Sequence, residues 1–437
     1  MLTAFAGAFR TPDLRKKLLF TLGIMVIYRL GSVIPVPNVD VGTLHTCATN
    51  AQAGSQAGLY SLLSLFSGGA LLQLAIFALG IMPYITASII LQLLTVVIPR
   101  LEALKKEGQS GQNKITQYTR YLTLVLAVLQ STTFVTLARN DQLFQNCPGV
   151  VYDTGAFPII VMILTMTAGT GVVMWLGELI TEKGVGNGMS VLIFTQICAT
   201  FPQALWAIKQ QRPGGAGWVV FLLVLGIGLL VMLAVIFIEQ SQRRIPVQYA
   251  KRMVGRRVLG GTTTYIPLKV NQAGVIPVIF ASSLMYIPVL YSQFRPNGWG
   301  ASWIQSHFVR GDHPVYMATF FLLIIFFAYF YVSITFNPQE VADNMKKYGG
   351  FIPGIRAGKP TEDYLGYVLN RLTLPGSLYL GLIALIPMIA IGVLNTNSQS
   401  GFPFGGTSIL IIVGVGLDTV KQIESQLQQR NYEGFLR

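Results

Sequence analysis

Long apolar stretches separated by short, mostly basic segments set the pattern of this chain. A helix needs about 20 apolar residues to cross the hydrocarbon of a bilayer. Eight segments fit: 18–34, 60–99, 121–137, 157–176, 189–208, 218–238, 273–291 and 317–336. Two more fit between Arg371 and Asp418, an interval without charge whose Asn/Ser/Gly/Pro turn lies at 395–405. The segment 218–238 is the cleanest, 21 residues without a charge. The second is the irregular one. No Asp, Glu, Lys or Arg occurs between Asp40 and Arg100, yet Gly68-Gly69, Gly80 and Pro83 interrupt the run. Gly loosens a helix and Pro removes an N–H donor. Broken backbone at membrane depth survives only where protein buries it or water reaches it. The pattern predicts a short apolar helix that enters from one side, breaks, and continues as a spanning helix, which marks a pathway.

Charge gives the orientation. With ten spans, 25 Lys and Arg fall on one side and six on the other, Arg29, Arg139, Lys209, Arg212, Arg295 and Arg310. The positive-inside rule then puts both termini in the cytoplasm. Five spans in 1–210 and five in 211–437 form two halves, and an odd number per half requires the second to be inverted. Inverted repeats place a functional path at their interface, although no residue-level self-similarity accompanies the topology.

Composition agrees with this reading. The chain has 437 residues, 52% hydrophobic and 11% charged, with mean hydropathy +0.57 and net charge +14. Soluble domains carry about 25% charged residues, so an all-α integral membrane protein is expected. The first residues show no small-residue cleavage site, and no removable signal peptide is read. Two loops on the basic side are longer than topology requires. The loop 239–270 holds seven basic residues and one acid, with strand-like pieces IPVQYA and TTTYIPL. The loop 337–370 presents Arg356 on a Gly/Pro-shaped turn. Lipid headgroups account for such charge, and so does a docking surface for RNA phosphate or an acidic protein.

Familiar catalytic patterns are missing. There is no GxxxxGK[ST] and no HExxH, and His45, His307 and His313 are far apart in sequence. Three cysteines are too few for a disulfide scaffold or a CxxC metal site. The spans hold almost no ionisable residues of the kind that coupled transporters use; Arg29 and Glu178 sit near helix ends and Asp418 near the end of the tenth. What the spans offer is apolar bulk. Ile81 and Ile85 share one helix face, and β-branched side chains around a common axis form a constriction that gates by excluding water. Taken alone, an Ile pair in a spanning helix is far more often explained by lipid contact or helix packing, and TEKGVGNGMS before the fifth span reads either as functional or as a loop and helix cap.

Several long motifs resemble the SecY family, the channel subunits of bacterial protein translocases. They include FALGIMPYITASIILQLLTVVIP (77–99), KKEGQSGQNKITQYTRY (105–121), WLGELITEKGVGNGMS (175–190), QRRIPVQYAKR (242–252), IPLKVNQAGVIPVIFASS (266–283), FNPQEVADNMKKYGGFIPGIRAG (336–358) and FGGTSILIIVG (404–414), in the family's order and nearly end to end. The resemblance implies a pore between two five-helix halves, conducting unfolded preproteins across the cytoplasmic membrane and releasing membrane segments sideways through a lateral gate. It implies a plug helix over 61–70, with Ser61, Leu62, Leu65, Phe66, Ser67, Gly68 and Gly69. The pore ring carries over onto Ile81, Ile85, Met189, Ile193, Ile276, Ile279 and Ile411, with Met189 departing from the usual β-branched type. Gln92 and Asn271 match lateral-gate positions and are expected to pair by their amides. Arg243, Arg244, Lys251, Arg252, Arg256, Arg257, Lys346, Lys347 and Arg356 are the expected docking residues for a SecA motor or a ribosome. The other implied partners are SecE and SecG subunits, signal sequences and anionic lipid. No catalytic residue, cofactor or metal is implied. A solute transporter and an intramembrane enzyme remain the competing classes, the first needing ionisable residues or a polar pocket in the membrane, the second a nucleophile. Beyond the family, Cys47 and Cys147 both fall in external segments, where a disulfide between them would tie the plug-bearing loop.

Overall fold

The computed structural model describes residues 11–44, 46–47, 67–139, 149–210, 215–249, 252–254, 257–259, 263–294, 298, 300–308, 313–394 and 406–433. A helix occupies each of the ten expected segments. In the first half these are α1 (Pro12–Gly31), α2 (Met82–Val97), which turns into α3 (Pro99–Lys106), α4 (Gln109–Arg139), α5 (Ala156–Lys183) and α6 (Gly188–Gln210). Residues 211–437 hold α7 (Gly215–Gln240), α8 (Ile276–Phe294), the short α9 (Ala301–His307), α10 (Pro314–Thr335), the short α11 (Pro338–Lys347) of the 337–370 loop, α12 (Lys359–Leu394) and α13 (Gly406–Glu433). Among the described residues five helical stretches are long and apolar enough to cross a membrane, or six counting the bent α2–α3 pair as one.

Threonines inside these helices do not leave hydroxyls bare in the hydrocarbon. Thr123, Thr132, Thr165 and Thr170 each donate to the carbonyl four residues back, at 2.7–3.1 Å. That bond is the usual way a helix keeps Ser or Thr at membrane depth. A polar residue in these spans is therefore no evidence of a path.

The irregular second segment differs from expectation. Residues 67–81 form a chain of turns, and the helix begins only at Met82, with Pro83 in its first turn. Gly68, Gly69, Leu74 and Gly80 all have positive φ, 64°, 83°, 42° and 56°, which glycine tolerates best and which ends helical propagation. The strap lies between α1 and α5. The Val36 N–H donates to the Leu74 carbonyl and the Ile76 N–H to the Ile34 carbonyl, both at 2.9 Å. A Cβ on Gly169 of α5 would sit 2.1 Å from the Ile76 carbonyl oxygen, so the glycine is required by close approach. A second break follows at Pro99, where α2 turns into α3 through 102°.

Two large apolar cores stand out. One joins Val36, Val39, Leu44 and Cys47 to Leu71, Phe134, Val135, Met162 and Met166. The buried members of the other run from Val224 to Val413 and centre on Phe320, Ile324 and Leu380. Outside the membrane, Asp40 caps the short turn after it through the Gly42 N–H and the Thr43 hydroxyl, and the Thr43 bond holds its carboxyl below the usual carboxylate range.

The all-α expectation needs one correction. The 239–270 loop forms antiparallel strands β1 (Gln242–Tyr249) and β4 (Thr263–Lys269), with a small β2–β3 hairpin (Arg252–Val254, Arg257–Leu259) between them. β1 alternates as a half-buried strand should, Ile245 and Val247 inward and their neighbours out. A third strand, β5 (Gly350–Phe351), comes from the 337–370 loop and pairs with β1.

Two glycines test this packing. Gly169→Ala is expected to cost about 1–3 kcal/mol through the clash with the strap, lowering the thermal midpoint of the purified protein. Gly226→Ala, with nothing within 4 Å of its Cβ position, should leave the midpoint unchanged or raised. Equal midpoints for both variants would contradict the close strap–α5 contact.

Candidate pore constriction and cytoplasmic platform

Four helices from both halves converge on one small apolar cluster. Ile197, Ile279 and Ile411 are buried at its centre, packed by Ile85, Ile193, Val275, Ile412 and Val415. Ile85 comes from α2, Ile193 and Ile197 from α6, Val275 from the turn that leads into α8, Ile279 from its first turn, and the rest from α13. Every member is Ile or Val. Such side chains are stiff at χ1, so the cluster is apolar and has few rotamers, with no hydroxyl, amide or charge to hold water.

Of the seven expected ring residues, the structure brings Ile85, Ile193, Ile279 and Ile411 together here. Ile81 and Met189 belong to a neighbouring cluster with Ile24, Tyr28, Phe77, Val173 and Ile180, and only Ile85, Ile193 and Val415 touch both. Ile81 is 1% exposed, turned toward α1 and α5 by the Gly80 turn. Met189 lies over Gly177 of α5, where a Cβ on that glycine would come within 2.5 Å of its Sδ. Ile276 is in neither cluster: Val275 and Ile279, four apart, take the inward face, and Ile276 is rotated about 100° from Val275. Ile197, Val275, Ile412 and Val415 were missed by motif position. For Ile197, Val275 and Val415 the signal was the i, i+4 spacing of β-branched residues in Ile193/Ile197, Val275/Ile279 and Ile411/Val415; Ile412 has no such signal.

The expected amide pair at the gate is not formed. Gln92 is exposed on α2. Asn271 is buried, and its amide donates to the Glu239 carboxylate at 2.6 Å and to the Gly274 carbonyl at 3.3 Å. The cause is Glu239 at the end of α7, itself 9% exposed: a carboxylate removed from water takes the nearest donor, because leaving it bare costs several kcal/mol. Asn271 thereby ties the last turn of α7 to the turn that starts α8, where Gly274 has φ 60°. Across the first half, Arg120 of α4 grips Glu178 of α5 with two bonds of 2.8 Å.

TEKGVGNGMS forms a turn held by α1 and α13. The Val185 N–H donates to the Thr21 hydroxyl of α1, and the Gly186 N–H to the Gln422 side chain of α13 at 3.0 Å.

The two basic loops form one body. Ile245, Val247 and Leu268 of the sheet pack with Met345 of α11, with Ile352, and with Leu365 and Val368 of α12. Gly350 is closely packed where its strand pairs with β1, since a Cβ would meet the Tyr249 ring at 3.1 Å. Arg243, Arg244, Lys346, Lys347 and Arg356 are exposed on this unit. Arg252 and Arg257 lie in the β2–β3 hairpin, whereas Lys251 and Arg256 lie outside the described residues.

Ser61, Leu62, Leu65 and Phe66 of the expected plug likewise lie outside the described residues. Ser67, Gly68 and Gly69 begin the strap, with the Ser67 hydroxyl accepting from the Leu71 N–H. Cys47 is disulfide-bonded and Cys198 is a free thiol; Cys147 is outside the described residues.

The family model for SecY matches residues 75–420. The chain belongs to the SecY family. A relative from Streptomyces galbus, "Protein translocase subunit SecY", is 67% identical over 442 residues, with 100% of both chains covered. Two solved structures share the fold at far lower identity. "The structure of a protein conducting channel" has a TM-score of 0.63 at 19% identity, covering 94% of this chain and 91% of that one. A study of how "the plug domain of the SecY protein" stabilises the closed state of the translocation channel has a TM-score of 0.61 at 18% identity, with 94% and 91% covered. In this SecY-family chain α12 connects the platform to the apolar cluster: it packs into the platform at Leu365 and Val368 and runs against α13, which supplies Ile411.

Asn271→Ala is expected to cost about 1–3 kcal/mol, because it leaves the Glu239 carboxylate without its donor. Asn271→Ala combined with Glu239→Gln should recover part of that loss. Thermal unfolding of the purified variants checks it, and a single variant as stable as the parent would contradict the Glu239–Asn271 bond.

Proposed function

We propose that this chain is the protein-conducting subunit of a Sec translocase in the cell's inner membrane, with ten spans in two inverted halves and both termini cytoplasmic. It conducts unfolded preproteins across the membrane and lets transmembrane segments leave sideways between the halves. One observation carries the reading: a seal made only of Ile and Val, contributed by α2, α6, α8 and α13. A polypeptide pore must accept every side chain and therefore bind none tightly. It must also block ions between substrates. A stiff apolar constriction does both, because an ion cannot shed its water there and a chain passing through finds no polar group to stall on.

In this reading the chain conducts, and the work of transport falls to a partner. The exposed basic residues of the cytoplasmic platform suit a SecA motor or a ribosome, since Arg forks pair with carboxylate and phosphate alike. SecE and SecG subunits are the expected companions in the bilayer, and anionic lipid the expected surroundings of the remaining cytoplasmic charge. Signal sequences would part α2 and α4 from α8 and α10, with Gln92 and Asn271 on the two edges. A plug over 61–70 would close the outer side, with Ile81 and Met189 backing the ring rather than lining it.

The test wets the seal. Ile193→Ser with Ile411→Ser, in the full-length protein reconstituted in a planar bilayer, should raise resting ion conductance at least about tenfold while preprotein transport persists. Conductance no higher than the parent's would overturn the reading of this cluster as the constriction.

A further inference from the structure

Two histidines that the channel reading leaves unused meet where α9 gives way to α10. The rings of His307, at the end of α9, and His313, just before α10, lie 4.5 Å apart between centroids and at 67° to one another. Trp303 stacks on His307 at 4.8 Å. Hydrogen bonds fix the proton on each ring. His307 Nδ1 lies 2.9 Å from the Trp303 carbonyl, which can only accept, so that nitrogen carries the hydrogen and Nε2 is bare. His313 is the reverse. Its Nδ1 accepts from the Val315 N–H at 3.2 Å, which puts the hydrogen of the neutral ring on Nε2. That bond is the N-cap of α10. Pro314 has no N–H, so the Val315 amide is the first of the helix that needs an acceptor. Both rings are half-buried. No Asp, Glu, Lys or Arg occurs in α8, α9 or α10; their other titrating side chains are tyrosines, whose ordinary charge change lies at about pH 10. α12, packed on α10, carries no charge beyond Arg371, next to the platform residue Leu372. Arg295, Arg310 and Asp312 of the connecting segments lie outside the described residues.

We propose that His313, with His307 against it, is a proton-released catch that holds the start of α10 to α9 while both rings are neutral. Histidine is the side chain whose charge ordinarily changes between about pH 5 and 8. A proton added to His313 goes to Nδ1, the nitrogen that accepts from Val315. The cap then becomes two donors facing each other, and the new charge stands at a helix N-terminus, where the dipole disfavours it. A proton added to His307 goes to Nε2 and leaves the bond to the Trp303 carbonyl intact, but it sets a second positive ring 4.5 Å from the first. The cap is therefore complete at and above neutral pH and is lost as pH falls. A metal ion fits less well than a proton, because binding at His313 Nε2 moves the hydrogen to Nδ1 with the same loss of the cap. The consequence for the channel rests on the proposed gate. α8 carries Ile279 to the apolar cluster in its first turn and packs on α9 past its last, and α8 with α10 forms the edge that would part from α2 and α4. Acid on the external side would loosen that edge, and acid in the cytoplasm would not reach it.

Two readouts on the full-length protein test it, each with the parent, His313→Asn and His313→Ala. Asn caps a helix and takes no proton, whereas Ala caps nothing. The first readout is amide hydrogen exchange of the purified protein at the start of α10, corrected for the intrinsic effect of pH. From about pH 7.5 to about pH 5.5 the parent should lose protection at Val315 by roughly 2- to 30-fold, the worth of an N-cap. His313→Asn should keep that protection at both values, and His313→Ala should lack it at both. His307→Phe, which cannot charge, should shift the parent's loss to lower pH. Flat protection in the parent, or a loss in His313→Asn equal to the parent's, would overturn the catch. The second readout is resting conductance in planar bilayers with one face acidified. External acid should raise the parent's open probability by up to the same factor and leave His313→Asn unchanged, while cytoplasmic acid should change neither. If exchange behaves as expected and the parent's conductance ignores external pH, the hold on the gate is overturned. Silence of the Ile193→Ser, Ile411→Ser protein in the same bilayers counts instead against the constriction, and the exchange result decides the catch in either case.

Discussion

A peptide group in hydrocarbon has no water to turn to, and the strap at 67–81 is the place where this chain meets that constraint without a helix. Its donors and acceptors are taken up by the end of α1 and the extended chain after it, through Ile34, Val36, Gly31 and Arg29. α5 closes over the top at Gly169, close enough that a methyl would not fit. Because the strap is fixed from both sides, Met82 starts α2 at a set angle, and Ile85 arrives one turn later against α6, α8 and α13. The Ile/Val cluster depends on the strap's being satisfied.

The cluster then depends on side-chain type rather than on any bond. Ile and Val fill the meeting of α2, α6, α8 and α13 with few rotamers to choose from, and dispersion contacts hold it without donors or acceptors. In the proposed channel such contacts would re-form after a chain has passed. Polar ties sit away from the axis: Arg120–Glu178 between α4 and α5, Glu239–Asn271 between α7 and α8, Gly186–Gln422 between the turn after α5 and α13. They set where the helices stand, while the axis itself stays greasy and separable. The platform follows the same division, with an apolar interior from Ile245 to Val368 fixing one rigid body and the charges left outside.

The helices were legible from the sequence because membrane length and lack of charge are strong, local signals. The break at Gly80-Pro83 was legible too, since both residues act through their own backbone. What Ile81 and Ile276 do was less so. Each shares a motif with a true cluster member, but a turn of the backbone at Gly80 or a single step along α8 points the side chain elsewhere. Asn271 shows the other limit: its partner depends on a carboxylate 32 residues away whose burial no window of sequence reveals. Likewise, the two basic loops are far apart in sequence and each looked like a separate segment, and only the β1–β5 pairing makes them one surface.

Cross-linking of a stalled, translocating polypeptide to the channel tests the central claim most directly. With photoreactive groups placed singly at Ile85, Ile193, Ile279 and Ile411, every one of the four should capture the chain, and exposed positions such as Leu164, Leu233 and Leu322 should not. Capture at the exposed positions with none at the four isoleucines would contradict a path through this cluster.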